Sequence, residues 1–138
     1  MEIESVLGAV GISQMVVRPG DTALAHGSGD MPVLSSSFLL TLMESACNSA
    51  LAEFLDNGDT TVLQHVAMQV HDSVGIGPEV QANATCVKTL GAILTFSCEV
   101  YDGSRLIAAA TMERLVVERV SYLARTAAHT LISQQSGE

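Results

Sequence analysis

The stretch Phe38-Leu39-Leu40-Thr41-Leu42-Met43-Glu44-Ser45-Ala46-Cys47-Asn48-Ser49-Ala50-Leu51 constrains the fold more than any other part of the chain. It reads as a helix that is apolar nearly all round, and such a helix belongs in the interior of a domain. One carboxylate, Glu44, stands in its middle. Removing an ionised carboxylate from water is costly unless it is paired, hydrogen-bonded or protonated. Glu44 is therefore either tied into a polar network or used in chemistry.

Ser35, Ser36 or Ser37 can cap the start of this helix, which the sequence extends to about Leu55, before Asp56-Asn57-Gly58-Asp59. Upstream, residues 1–10 read as a short helix or loose arm and residues 12–18 as a short strand closed by Pro19-Gly20. Residues 21–32 form a loop of small residues that folds over something. Downstream the period changes to two. Val62, Gln64, Val66, Met68 and Val70 alternate with Leu63, His65, Ala67, Gln69 and His71, which predicts a strand over 61–71. Gly75, Gly77 and Pro78 mark a turn, Val80–Lys88 alternate again, and Leu90-Gly91 leads into Ile93–Tyr101. Asp102-Gly103 is a tight-hairpin signal before a strand from Arg105 to Glu118. A last helix is expected over Ser121–Ser133, with Leu123, Ala127, Thr130 and Leu131 on one side and a frayed end over 134–138. One helix followed by four strands in a meander predicts an α+β domain, an antiparallel sheet wrapped around the helix.

The 138 residues suit a single domain, 1–138. A formal charge of −9, six Lys/Arg against fifteen Asp/Glu, argues against a nucleic-acid or anionic-membrane partner, which needs a basic patch. No apolar run reaches the roughly 20 residues that cross a bilayer. Cys47, Cys86 and Cys98 form no close-spaced pair, and the chain lacks a signal-like start, which fits a reducing cytoplasm. Cys47, one turn from Glu44, is a nucleophile only in principle, because a small buried thiol beside a carboxylate has a raised pKa. No spacing of His, Cys, Asp or Glu suggests a metal ligand set, and no cofactor is called for.

The segment Asp30-Met31-Pro32-Val33-Leu34-Ser35-Ser36-Ser37 and the helix as far as Cys47 resemble the loop and central helix of hot dog fold thioesterases. The likeness is to the fluoroacetyl-CoA thioesterase-like group, with its hydroxyl residue followed by a leucine-methionine-glutamate run. His71, after the next strand, and Thr111-Met112-Glu113-Arg114 in the last one extend the resemblance over most of residues 12–120. It implies a hot dog fold, an acyl-CoA thioesterase activity on a small or medium acyl group, and a catalytic set of Glu44, Ser36 and His71. Serine stands at 36 where the family usually has threonine. The resemblance also implies a homodimer, its sheets joined edge to edge and its sites at the subunit boundary.

A thioester needs a nucleophile or activated water, and donors for the developing oxyanion. Glu44 can act as general base, or as a nucleophile giving a mixed anhydride. First-turn N–H groups near Ser36–Leu39 can serve the oxyanion, and His71 or Ser36 can place a proton or partner. Phe38, Met43 and Leu24 are candidates to line the acyl site, and Lys88 and Arg105 to meet the nucleotide end of coenzyme A. Each has an ordinary alternative. Glu44 can bond Thr41, Asn48 or a sheet hydroxyl; Ser36 can be only a helix cap; His71 can be a strand-end residue at a turn; His65 can pack at an interface. Arg114 beside Glu113 reads as a cross-strand ion pair, and His26 and His129 as surface residues. Two other functions compete with hydrolysis: a non-catalytic acyl-CoA binding module of the same fold, and a hot dog hydratase, whose Asp-x-x-x-x-His pattern is not evident.

Overall fold

The structure, a computed structural model, describes residues 2–136. Its central helix α2 (Ser36–Leu51) begins where Ser35, in extended backbone, accepts a hydrogen bond from Phe38 N at 3.2 Å. The helix stops at Leu51, one turn short of the expected Leu55, and the chain closes in a tight turn in which Phe54 and Leu55 N donate to Leu51 O. Its character also differs from the expectation. Leu39, Leu42, Met43, Ala46, Cys47, Ala50 and Leu51 are buried, whereas Ser36, Ser37, Thr41, Ser45, Asn48 and Ser49 are exposed. The small hydroxyl residues that make the segment look uniformly buried in sequence thus form a second, wet face.

The sheet contains β1 (Val10–Val16), β2 (Asp59–Val70), β3 (Glu79–Leu90), β4 (Ile93–Asp102) and β5 (Arg105–Glu118), all antiparallel, in the order β1-β3-β4-β5-β2. β3, β4 and β5 are joined by the expected tight turns, where Gly91 (φ +57°) and Gly103 (φ +60°) take the left-handed backbone that such turns require. The four-strand meander is corrected: β2 pairs with β5, not β3. Residues 71–78 cross about 14 Å of sheet, three inter-strand spacings. They are stitched down on the way: His71 N donates to Ile107 O, Val74 O accepts from Leu34 N, and Gly77 N donates to Val17 O. The two sheet edges are therefore β1 and β2.

β2 also departs from one unbroken alternation. A bulge between Leu63 and His65 shifts its register on β5, so that Thr61 and Leu63, then Val66 and Met68, all turn toward the core. Phe96, Leu94, Met112, Val80, Val100 and Ile107 are completely or almost completely buried beneath α2. The loop before α2 holds a short helix, α1 (Ala23–His26), capped by Thr22 and ended by Gly27 at φ +70°. Ala23 N to Val33 O and Leu24 N to Met31 O close it into a strap over the start of α2. A final helix α3 (Arg119–Ser136) starts two residues earlier than expected, because Glu118 accepts from Val120 N and Ser121 N. Leu123 and Leu131 on it are exposed. Gln134–Ser136, expected to fray, continue the helix, and Gly137 and Glu138 lie outside the described residues.

β1 lies against α2 so closely that a Cβ on Gly11 would strike Ala46 O and Ala50 N and come within 2.9 Å of Ala50 Cα. These are backbone atoms that cannot swing aside. Gly11→Ala is expected to cost about 3 kcal/mol or more, at the upper end of overpacking effects, seen as a lowered urea midpoint with unchanged slope.

Candidate active site

Arg114 is buried, its side chain 6% exposed, on a sheet otherwise lined by apolar groups. Its donors are distributed across two elements. Nε donates to Thr61 Oγ1 at 2.9 Å and Nη2 to Thr61 O at 3.3 Å, while Nη1 donates to Glu44 Oε2 at 2.7 Å. The partner of Glu44 is thus neither Thr41 nor Asn48 nor a sheet hydroxyl, and Arg114 pairs with the helix rather than with Glu113 across the strands. Glu113 lies opposite His65 and Thr95, its side chain directed to the other face of β5. Glu44 keeps 30% of its side chain exposed. Arg114 engages Oε2, leaving Oε1 without a bond among the described residues.

Ser36 is the first residue of α2, exposed, and the cap is Ser35. Eight residues of helix separate Ser36 from Glu44, about 12 Å. His71 is exposed just beyond β2, at the end of the sheet that also holds the start of α2, since Val74 bonds Leu34. Glu44, by contrast, is tied through Arg114 to the Thr61 end of β2. From Leu63, opposite Arg114, to His71 is roughly 26 Å of strand, too far for one subunit to join Glu44 and His71 through a hydrogen bond or a bridging water. His65 is exposed on β2 beyond the bulge.

Met43 is fully buried and Phe38 half-buried, packed against the core, whereas Leu24 on the strap is exposed. Lys88 is exposed near the end of β3, in register with Thr95 and thence Glu113. Arg105 lies at the opposite end of the sheet. It donates to Asp72 at 2.6 Å, Asp102 at 2.9 Å and Ser73 O at 3.0 Å, so a phosphate there competes with two carboxylates. Ser73 N–H, and then Arg105, hold the Asp72 carboxyl below the usual carboxylate range. Cys47 is buried with Sγ 3.7 Å from that of Cys98. The hydrogen bond with Cys98, followed by burial, pushes the Cys47 thiol far above the ordinary range, which makes it a core residue. Among the described residues no three His, Cys, Asp or Glu are grouped to hold a metal ion, and no helix is long and apolar enough to cross a membrane.

One contact escaped the sequence reading. His26 is exposed, as expected, but its Nδ1 lies 3.0 Å from Ser37 Oγ, and its ring packs on Phe38 with centroids 4.7 Å apart. Nothing in the local pattern signals it, because the strap that brings residue 26 over residue 37 is set by backbone bonds to Met31 and Val33.

The profile of the fluoroacetyl-CoA-specific thioesterase family matches residues 17–120. No curated protein sequence matches the chain. Among solved structures, a fluoroacetyl-CoA thioesterase bound to fluoroacetate superposes with a TM-score of 0.81 at 23% identity, over 89% of this chain and 97% of that one. A thioesterase superfamily member from Thermus thermophilus gives 0.83 at 22% identity, over 96% of each. A hot-dog-like protein from Thermanaerovibrio acidaminovorans gives 0.84 at 18%, over 94% and 97%. The sheet curled on α2, with Glu44 held by Arg114, is thus a hot dog fold, and the chain belongs to the fluoroacetyl-CoA-specific thioesterase family of thioester hydrolases.

Proposed function

We propose that the protein hydrolyses acyl-CoA thioesters with a small or medium acyl group, using Glu44 as general base or nucleophile with Ser36 and His71 assisting, in a site completed by a second copy. The observation that carries this reading is the half-engaged carboxylate. Arg114 fixes one oxygen of Glu44 while the other is available on a partly exposed side chain. That oxygen can accept a proton from water as it attacks the thioester carbonyl, or add to the carbonyl itself. The leaving group needs little help, since a thiol of pKa about 8.5 departs readily as thiolate. Coenzyme A fits as the carrier because a related fold has been solved with acetyl-CoA, at 24% identity.

The free edge of β2 supports the dimer. A long, unpaired edge strand is seldom left bare, and antiparallel pairing of two β2 edges about a two-fold axis near Val66 and Ala67 sets His71 of each subunit opposite residues 61–63 of the other. Each Glu44 then faces the partner's His71. Lys88 and Arg105 are the proposed contacts for the phosphates of coenzyme A. Phe38 and Met43 are the proposed acyl-side residues, Phe38 by contact and Met43 by shaping the floor beneath α2.

Thiol release from a panel of acyl-CoAs tests the reading. Wild type is expected to turn over, and Glu44→Gln, which keeps an oxygen for Arg114, to fold normally and lose roughly 10²–10⁴-fold in rate. No release by wild type from any acyl-CoA, with binding retained, would instead support the binding module. Arg114→Lys cannot keep both the Thr61 and Glu44 bonds, and is expected to lower stability by about 1–3 kcal/mol in urea unfolding and to reduce kcat more than it raises KM.

A further inference from the structure

α3 stands away from its own subunit. Residues 119–135 are all exposed except Tyr122, which is half-buried. Yet the pattern is that of a helix with a face to cover. Val120, Leu123, Ala124, Ala127 and Leu131 fall on one stripe, with Val120 71%, Leu123 60% and Leu131 60% exposed. A helix of this length gains little from propensity alone in water, and β-branched Val120, Thr126, Thr130 and Ile132 lower that gain, so packing has to hold it. Charge also sets it apart. Arg119–Ser136 holds two arginines and no Asp or Glu, in a chain with fifteen Asp/Glu against six Lys/Arg.

We infer that α3 docks on a second copy of this chain, its apolar stripe seated on the partner's Val70 and the partner's Ile76, and its arginines facing the acidic end of that copy's sheet. The place of its root carries the argument. Arg119 N donates to Gly58 O at 2.8 Å and Glu118 pairs with Asp59, so α3 springs from the start of the free β2 edge. In the β2-edge dimer, with its two-fold axis near Val66 and Ala67, Asp59 falls opposite the partner's Val74, where the chain has left β2 to cross its sheet. Val70, 52% exposed, and Ile76, 49% exposed, flank that point in each copy. Asp72 and Asp102 lie at the same end around Arg105, and Glu79 begins β3 there. Three carboxylates thus meet one guanidinium, the nearby Arg18 being paired with Asp21. An arginine-bearing helix without acids complements that end.

The other surfaces of a dimer do not offer the same fit. α3 is bare against its own subunit, and the two α3 roots lie about 50 Å apart along the joined strands, so their stripes cannot lie side by side. At about 27 Å, α3 is long enough to follow the partner's crossover at 71–78. The two-fold axis repeats the contact, so the pair closes instead of growing. α3 then walls the composite site in which Glu44 of its own subunit meets the partner's His71.

This inference rests on the dimer of the thioesterase reading and not on its chemistry, and cross-linking separates the two. Ile76→Cys and Leu123→Cys chains, one lengthened by a tag, are unfolded together, refolded and treated with a short bismaleimide. The native cysteines are buried and both substituted positions are exposed, so the variants are expected to fold and to react only at the new thiols. The mixture is expected to give a covalent heterodimer on a denaturing gel, and neither variant alone to give a linked dimer. Leu123→Asp/Leu131→Asp is expected to raise the dimer dissociation constant by roughly tenfold or more in sedimentation. A Leu123→Cys chain linked to itself would show α3 pairing with α3 and overturn the docking. No heterodimer band in protein that sediments as a dimer would overturn it too, leaving the β2 pairing in place, and a monomer would overturn both. Binding to phosphatidylserine vesicles that Leu123→Asp/Leu131→Asp abolishes, with no heterodimer band, would assign the stripe to a membrane instead. A heterodimer band without thiol release from any acyl-CoA would sink the thioesterase reading and leave the docking standing.

Discussion

A single guanidinium holds the site together. Arg114 is buried in the sheet, and an uncompensated charge there would be strongly destabilising. Thr61 and Glu44 supply the compensation from opposite sides, one on the neighbouring strand and one on the helix. The pair therefore fixes the rotation of α2 over the sheet as well as the orientation of the carboxylate. The ion pair with Arg114 gives Glu44 a structural reason to interrupt an apolar helix face, and the proposed chemistry uses its other oxygen.

The second constraint is topological. Because β2 leaves the helix, pairs with β5 and then sends its chain back across the sheet, the strand carrying Thr61 at one end carries His71 at the other. The residues that the family resemblance groups together are thereby split within one subunit. In the proposed dimer, a two-fold axis at the β2 edge would rejoin them.

Local signals made much of this legible. The serine run announced the start of α2, Gly91 and Gly103 the two tight turns, and period two the strands, since each depends on backbone rules that act within a few residues. The pairing of β2 with β5 was not legible, because Gly75, Gly77 and Pro78 signal a turn without saying how far the chain travels. The bulge at Leu63 and His65 was equally hidden, as a single inserted residue preserves the alternating appearance on either side. Glu44 drew attention as a charge in the wrong place, but its partner lies 70 positions away and sits beside Glu113, a more obvious mate. His26 looked like a surface residue and is one; only the strap shows what it touches.

In the proposed dimer each site takes Glu44 from one subunit and His71 from the other, which subunit complementation can show. Glu44→Gln and His71→Ala proteins, each nearly inactive alone, are unfolded together and refolded as a mixture, and thiol release is measured. A heterodimer contains one site with both native residues, so the mixture is predicted to regain activity well above either parent, approaching half the wild-type rate per heterodimer. A mixture no more active than its parents, with heterodimers shown to be present, would contradict the account.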